Sequence, residues 1–266
     1  MNNRYSHVPS PCFVIEEQKL RQNLALIERV KTEAGVEIIP AFKGFALWGV
    51  FPVLREFMNG ASASSLHEAR LCFEEMKTRA HTYSPAFIPE DFDKIMNYSS
   101  HLIFNSVAQL EKYLPKIRTY PEKISVGLRV NPEFSEVEPL IYNACSPGSR
   151  LGVVASQMPE KLPEEVEGLH FHTLCESGAD DLEKTLEAFE SRFGKYIQQV
   201  KWINMGGGHL MTRKGYDIEK LISVLKNFRQ KHGKQIILEP GSAFAWETGV
   251  LVSTVLDVVE NRGIRT

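Results

Sequence analysis

The apolar positions of this chain fall into two alternating patterns. Short runs rich in Val, Ile, Leu and Phe recur along the sequence, and most are followed by a stretch with helical spacing of apolar residues. The runs predict strands at 37–42, 60–62, 81–84, 101–104, 124–130, 168–172, 202–205 and 236–239. Amphipathic helical patterns lie between them at 65–76, 106–114, 181–193 and 218–232, and Gly233 stands where a helix-stopping glycine belongs. Strand and helix in alternation imply a parallel sheet. Eight such units without a break predict a closed (β/α)8 TIM barrel over residues 35–241, in preference to an open doubly wound sheet.

Two segments fall outside these units. Residues 11–15 read as a short strand before a helix at 16–32, and 249–259 (GVLVSTVLDVV) is a long β-rich run near the end. Together they predict a second, all-β domain built from residues 1–34 and 242–266, its C-terminal part only partly present. An unpartnered β-rich run would be an exposed edge. The expectation is therefore that the sequence shown is incomplete, or that a partner covers this run.

Composition narrows the function classes. With 266 residues, 43% hydrophobic and 24% charged, the chain has the make-up of a globular protein, long enough for one α/β barrel of roughly 250 residues. A formal net charge of −2 gives no footprint for nucleic acid or an anionic membrane. No apolar run approaches the ~20 residues of a membrane span, and the first seven residues hold no apolar signal core. Cys12, Cys72, Cys145 and Cys175 form no CxxC pair and read as reduced cytoplasmic thiols.

In such a barrel the active site lies at the C-terminal ends of the strands. The residues there are Lys43, Ser62 with Ser64 and Ser65, Ser84, Asn105, Arg129 with Asn131, His172, Gly206–Gly208 and Glu239. Lys43 closes the apolar stretch 36–42. In apolar surroundings a lysine loses its proton more readily and becomes a nucleophile toward carbonyls. The plainer reading is a lysine whose stem lies on aromatic surface and whose head reaches water. Gly206, Gly207 and Gly208 follow the seventh strand, where glycine amides form an anion nest and this fold holds phosphates. Glu239 ends a buried strand and needs a cationic or hydrogen-bonding partner. A protonated heteroaromatic nitrogen would serve, as would a salt bridge to Arg129. His170 and His172 share a strand face. They are core or ring-stacking groups, or an HxH metal pair if His209 and Glu239 complete it; no spacing typical of a metal site appears. Taken together the groups describe a pyridoxal 5'-phosphate site: Lys43 as Schiff-base lysine, the glycines on the phosphate, His172 against the ring and Glu239 on the ring nitrogen.

The motifs AFKGFALW (41–48), SSLHEA (64–69), GLRVNP (127–132), GLHFHTLCES (168–177), NMGGGH (204–209) and LEPGSA (238–243) run in this order. Over essentially the whole chain they resemble the fold-type III, alanine racemase-like pyridoxal phosphate decarboxylases. The FKGFALW and HTLCE runs are most similar to the carboxynorspermidine/carboxyspermidine decarboxylase branch. Ser242 after EPG, and Thr173-Leu174-Cys175 after the histidine, depart from the diaminopimelate and ornithine branches. The resemblance implies decarboxylation of a carboxylated polyamine, with Lys43, Ser65, Arg129, His172, Gly206, Gly207, Gly208, Glu239 and Gly241 on the cofactor. Ser242 and Glu247 are placed to face a cationic substrate. It further implies a cytoplasmic homodimer with shared active sites, whose C-terminal β-domain brings a cysteine and an aspartate across the dimer. Three rivals stay open: a non-catalytic pyridoxal phosphate carrier, a diaminopimelate-type amino-acid decarboxylase and a metal-dependent barrel hydrolase.

Overall fold

The computed structural model describes residues 4–138 and 140–266. The first three residues, part of the stretch read above for a signal core, and Pro139 lie outside the described residues. Strand β1 (Cys12–Ile15) and helix α1 (Glu17–Ala34) lead into strand β2 (Glu37–Ile38). Then follow α2 (Phe51–Leu54), β3 (Ser62–Ala63), α3 (Leu66–Leu71), β4 (Ala80–Tyr83), α4 (Phe92–Tyr98), β5 (Ser99–Phe104), α5 (Val107–Thr119) and β6 (Ser125–Asn131). The second half runs β7 (Val153–Val154), β8 (Val166–His170), α6 (Ala179–Ile197), β9 (Trp202–Asn204), α7 (Ile218–His232), β10 (Gln235–Leu238), α8 (Ser242–Ala245) and β11 (Gly249–Val252). A hairpin of β12 (Glu260–Asn261) and β13 (Ile264–Arg265) ends the chain.

Eight strands pair in parallel in the order β2-β10-β9-β8-β6-β5-β4-β3, with β7 alongside β6. The ring closes where Ala41 bridges Ser62, through Phe42 N–H on Ser62 O (3.1 Å) and Ser62 N–H on Pro40 O (2.8 Å). The regular part of β2 is shorter than the predicted 37–42 because Pro40 has no N–H to give the ladder. Residues 65–76 begin as α3 and then widen into a π turn at Cys72–Met76, ended by Lys77 at φ 59°. Helix α7 covers 218–232 as its period predicts. Gly233 caps it at φ 65°, donating to Arg229 O.

Period-2 alternation sorts the strand residues into two cores. Outward-facing Val126, Leu128, Val130, Leu169, Ile203 and Leu238 pack against Leu20, Leu24 and Ile27 of α1 and the apolar stripes of α6 and α7. Inward-facing Ile39, Ile103, Trp202 and Ile237 form a separate core inside the barrel, with Tyr83 against it. The Trp202 indole lies over two glycines: a Cβ on Gly168 would meet it at 2.0 Å and one on Gly127 at 2.4 Å. Its N–H donates to Ser125 Oγ at 2.9 Å, and Ser125 donates to Glu167 at 2.7 Å. The rings of His81 and His101, tilted at 38° with 3.8 Å between centroids, lie beside it. The interior is thus plugged below the C-terminal mouth, and the polar residues above the plug stand on a packed floor.

The N- and C-terminal segments meet in a small antiparallel sheet. Cys12, Phe13, Val14 and Ile15 pair with Val252, Leu251, Val250 and Gly249. The predicted β-run at 249–259 is strand only over Gly249–Val252. Beyond it Val255, Leu256 and Val258 are exposed. Among the described residues no helix is long and apolar enough to cross a membrane.

Candidate active site at the C-terminal mouth

Above the Trp202 layer, the inward positions are polar. Tyr83, Arg129, His170, Asn204 and Glu239 stand one alternation step higher on β4, β6, β8, β9 and just after β10. All but the half-buried Tyr83 are buried. Arg129 donates to the His172 carbonyl at 3.0 Å and lies 4.7 Å from the centre of the Tyr83 ring. The Tyr83 hydroxyl donates to Asn105 Oδ1 at 2.8 Å. Glu239 Oε1 accepts from Asn204 Nδ2 at 2.8 Å, and Asn204 Oδ1 accepts from Gly206 N–H at 2.9 Å. Burial pushes the Glu239 carboxyl above its usual range, against the hydrogen bonds of Asn204 and Ser62 and the charges of Lys43 and Arg129.

A cavity of about 270 Å³ opens over this layer, lined among others by Lys43, His172, Gly207, Gly208, Glu239 and Ser242. Lys43 sits in a turn whose Gly44 and Phe45 amides both donate to Ala41 O. It counts as exposed because it points into an open cavity. The protein around that cavity still lowers its pKa, with burial the largest cause, Glu239 opposing and Arg129 adding to the fall. The His172 ring is fixed by Gly207 N–H donating to its Nδ1 at 3.2 Å, so that nitrogen carries no proton. Burial first, then Lys43 and Arg129, hold the imidazole far below its ordinary range, and it is neutral.

The glycine run follows the backbone closely enough that no side chain fits. A Cβ on Gly207 would meet Glu239 O at 2.3 Å, and one on Gly208, at φ 90°, would meet Leu174 O at 2.2 Å. Gly208 N–H and Gly241 N–H donate to no partner among the described residues and border the cavity. Gly44 and Gly241 pack backbone on backbone: a Cβ on either would lie about 3 Å from the other's Cα, at 2.9 and 3.0 Å.

The predicted residues Lys43, His172, Gly207, Gly208, Glu239, Gly241 and Ser242 share this cavity. Arg129 and Gly206 act from just outside it, through His172 and Asn204. Ser65 caps α3, accepting from Glu68 N–H at 3.2 Å, while the Glu68 carboxylate accepts from Ser64 N–H at 2.6 Å. Glu247 is exposed at φ 55° in the turn before β11 and does not line the cavity. Among the other strand ends, Ser84 bonds Ala86 O, Asn105 bonds Arg150 O, and Asn131 accepts from Glu133 N–H. Ser84 and Asn131 serve their own loops, while Asn105 ties its loop to the Tyr83 hydroxyl and to the 150–152 segment. His170, His172 and Glu239 have ligand atoms within 4.8 Å of one another, but His209 is not part of that group. Tyr83 and Asn204 carried no role in the sequence reading. The period-2 signal points to both, since Asn204 lies two residues from Trp202 and from Gly206.

The residues fit pyridoxal phosphate. Unpartnered amides and a side-chain-free cradle suit a phosphate, an amine of lowered pKa faces the cavity, a flat neutral ring borders it, and a buried carboxylate lies opposite the amine. The sequence profile of the pyridoxal-dependent decarboxylase, pyridoxal binding domain family matches residues 31–246. A carboxyaminopropylagmatine decarboxylase of Synechocystis sp. is 48% identical over 260 residues, 97% of this chain and 67% of that protein. A carboxynorspermidine/carboxyspermidine decarboxylase of Campylobacter jejuni is 45% identical over 257 residues, 97% of this chain and 66% of its own length. The crystal structure of carboxynorspermidine decarboxylase complexed with norspermidine from Campylobacter jejuni superposes with a TM-score of 0.85 at 43% identity, covering 96% of this chain and 66% of that one. The chain thus spans about two thirds of the length of the relatives it matches.

Proposed function

The chain belongs to the pyridoxal-dependent decarboxylases, and on that premise we propose that it removes the α-carboxylate of carboxynorspermidine or carboxyspermidine, giving norspermidine or spermidine and CO2 in polyamine biosynthesis. The observation that carries this reading is the shared cavity of Lys43, His172, the glycine run and Glu239, taken with the polyamine-type relatives.

Bound pyridoxal phosphate supplies an electron sink for the pair left behind when the carboxylate departs as CO2. Lys43 is the group that links to the cofactor's carbonyl carbon, and its lowered pKa keeps a share of its amine unprotonated. The amides of Gly208 and Gly241 hold the phosphate without bringing a charge to be desolvated. Neutral His172, pinned by Gly207 and backed by Arg129 on its carbonyl, would offer a flat face that carries no competing charge. Glu239, steadied by Asn204, balances the ring nitrogen's positive charge and so strengthens the sink. Lys43, facing the cavity, would also be placed to carry the proton that takes the position of CO2 on carbon.

Two finer features belong to the same reading. The enzyme works in the cytoplasm, supported by four cysteines that are all free thiols. It acts as a homodimer with shared sites. An apolar cleft of about 650 Å³ between β1, β11 and residues 44–48 supports this, as do the exposed Phe13, Trp48 and Leu251 that line it.

A second reading takes carboxyaminopropylagmatine as substrate, and the 48% identical relative favours it. Both substrates present an amino acid head to the same site and differ in whether the far end is an amine or a guanidinium. The test is CO2 release by the purified protein from each of these substrates and from diaminopimelate. The expected result is turnover of a polyamine-type substrate, lost in Lys43→Ala together with the cofactor's covalent attachment after borohydride reduction. Cofactor bound with no CO2 released from any substrate would sink the reading and leave a carrier.

A further inference from the structure

His170 is the one inward-facing group of the polar layer with no assigned task. Its side chain is 1% exposed, and neither ring nitrogen has a hydrogen-bond partner. A buried imidazole N–H without an acceptor carries a desolvation cost, so a working state that satisfies it is favoured. The ring lies between three neighbours. The Tyr83 ring is 5.4 Å away centre to centre, the His172 ring is 6.2 Å away edge-on, and Glu239 Oε2 is 3.9 Å from Nε2. The carboxylate is the charged acceptor among them, since the Tyr83 hydroxyl is engaged with Asn105 and His172 Nδ1 with Gly207 N–H. Strand pairing holds the contact in place, since His170 pairs with Arg129 on one side and with Asn204 on the other.

We propose that His170 is a positioning residue for Glu239. In the loaded site its Nε2–H donates to Glu239 Oε2 and fixes the carboxylate toward the cofactor's ring nitrogen. This rests on the reading of Glu239 given above. The present separation is too long for a hydrogen bond, and closing it by about 1 Å makes one. Asn204 already occupies Oε1, so the two donors together would hold both oxygens and leave the carboxylate no freedom to turn.

The surroundings suit this role. Burial first, then the charges of Arg129 and Lys43, keep the His170 imidazole far below its ordinary pKa. It therefore donates an N–H while staying neutral, and it neither protonates Glu239 nor competes with the ring nitrogen for the negative charge. A lysine or arginine at this place would compete for that charge. The role also fixes the tautomer: the proton is on Nε2 and Nδ1 is bare.

The experiment reads the cofactor's ring nitrogen rather than turnover. Protein reconstituted with cofactor labelled with 15N in the ring is examined by NMR, and cofactor dissociation constants are measured alongside. Wild type is expected to show a protonated ring nitrogen, and Glu239→Gln to lose it. His170→Leu should lose much of the protonation and bind cofactor about tenfold more weakly, as loss of a hydrogen bond to a charged group does. His170→Gln, which keeps a donor, should restore part of both. Gln and Leu variants that behave alike, or a His170 proton found on Nδ1, overturn the proposal, and neither needs the Leu variant to be fully stable. If Glu239→Gln leaves the ring nitrogen unchanged, the reading of Glu239 itself has failed, and the proposal falls with it.

Discussion

Replacing Asn204 by alanine removes two hydrogen bonds that converge on the heart of the site. The side-chain amide donates to the buried Glu239 carboxylate at 2.8 Å, and its oxygen accepts from Gly206 N–H at 2.9 Å. A hydrogen bond to a charged group contributes ~1.5–3 kcal/mol, and a buried amide left without an acceptor costs about 1–3 kcal/mol. Asn204 is fully buried, so water cannot readily substitute. The expected destabilisation is about 3–5 kcal/mol, which for a domain of this size lowers Tm by roughly 6–20 °C. Glu239 also loses the largest of the influences that hold its pKa down, so its grip on a cationic ring nitrogen weakens and cofactor affinity falls by about tenfold or more. The measurements are thermal unfolding followed by circular dichroism in the cofactor-free protein, and a cofactor titration of the same variant. A Tm within about 2 °C of wild type and an unchanged titration would refute the hydrogen-bond argument.

Two further outcomes are expected. Gly168→Ala drives a Cβ to 2.0 Å from the Trp202 ring and should cost about 1–3 kcal/mol through overpacking. Combining it with Trp202→Leu should recover part of that loss in a double-mutant cycle by urea unfolding; strict additivity would show that the ring and the glycine are not in contact. Burial first, with Lys123 adding to it and Glu167 opposing, holds the His101 imidazole at about 4, below its ordinary 6.5. Between those values the unfolded chain binds more protons than the folded one, so stability falls as pH drops from about 6.5 to about 4. His101→Phe should flatten the Tm-versus-pH curve in that window, and a curve that keeps its full slope would remove His101 from the account.

The barrel was legible because its signals are local. Each strand run carries its own β-branched and apolar residues, each helix its own period, and α7 even shows its stop at Gly233. The mouth of the site was legible for a related reason: fold geometry puts chemistry at strand ends, so reading one position per strand recovered Lys43, His172, the glycines and Glu239. The layer beneath was harder. Asn204 and Tyr83 matter through partners on neighbouring strands, and that depends on register, which a single sequence does not display. Ser65 shows the opposite case. It follows a strand as a cofactor contact would, yet it has the S-x-x-E spacing of a helix start, and Ser65 Oγ accepts from Glu68 N–H while the Glu68 carboxylate accepts from Ser64 N–H. The run at 249–259 reads as β-rich throughout because its composition is uniform. Its pairing ends at Val252, where the four residues of β1 run out of partners to offer.

The contact between Gly44 and Gly241 ties together two loops that lie at opposite ends of the barrel's sequence. One follows Lys43 and the other follows Glu239, and their backbones are each other's packing surface. Neither loop can change its shape alone. A side chain at either position would push its neighbour aside and change the separation between Lys43 and Glu239, which in the proposed function is the length the cofactor's ring has to span. The seam of the barrel thus acts as a gauge block for its ligand. These two positions can drift only as a pair.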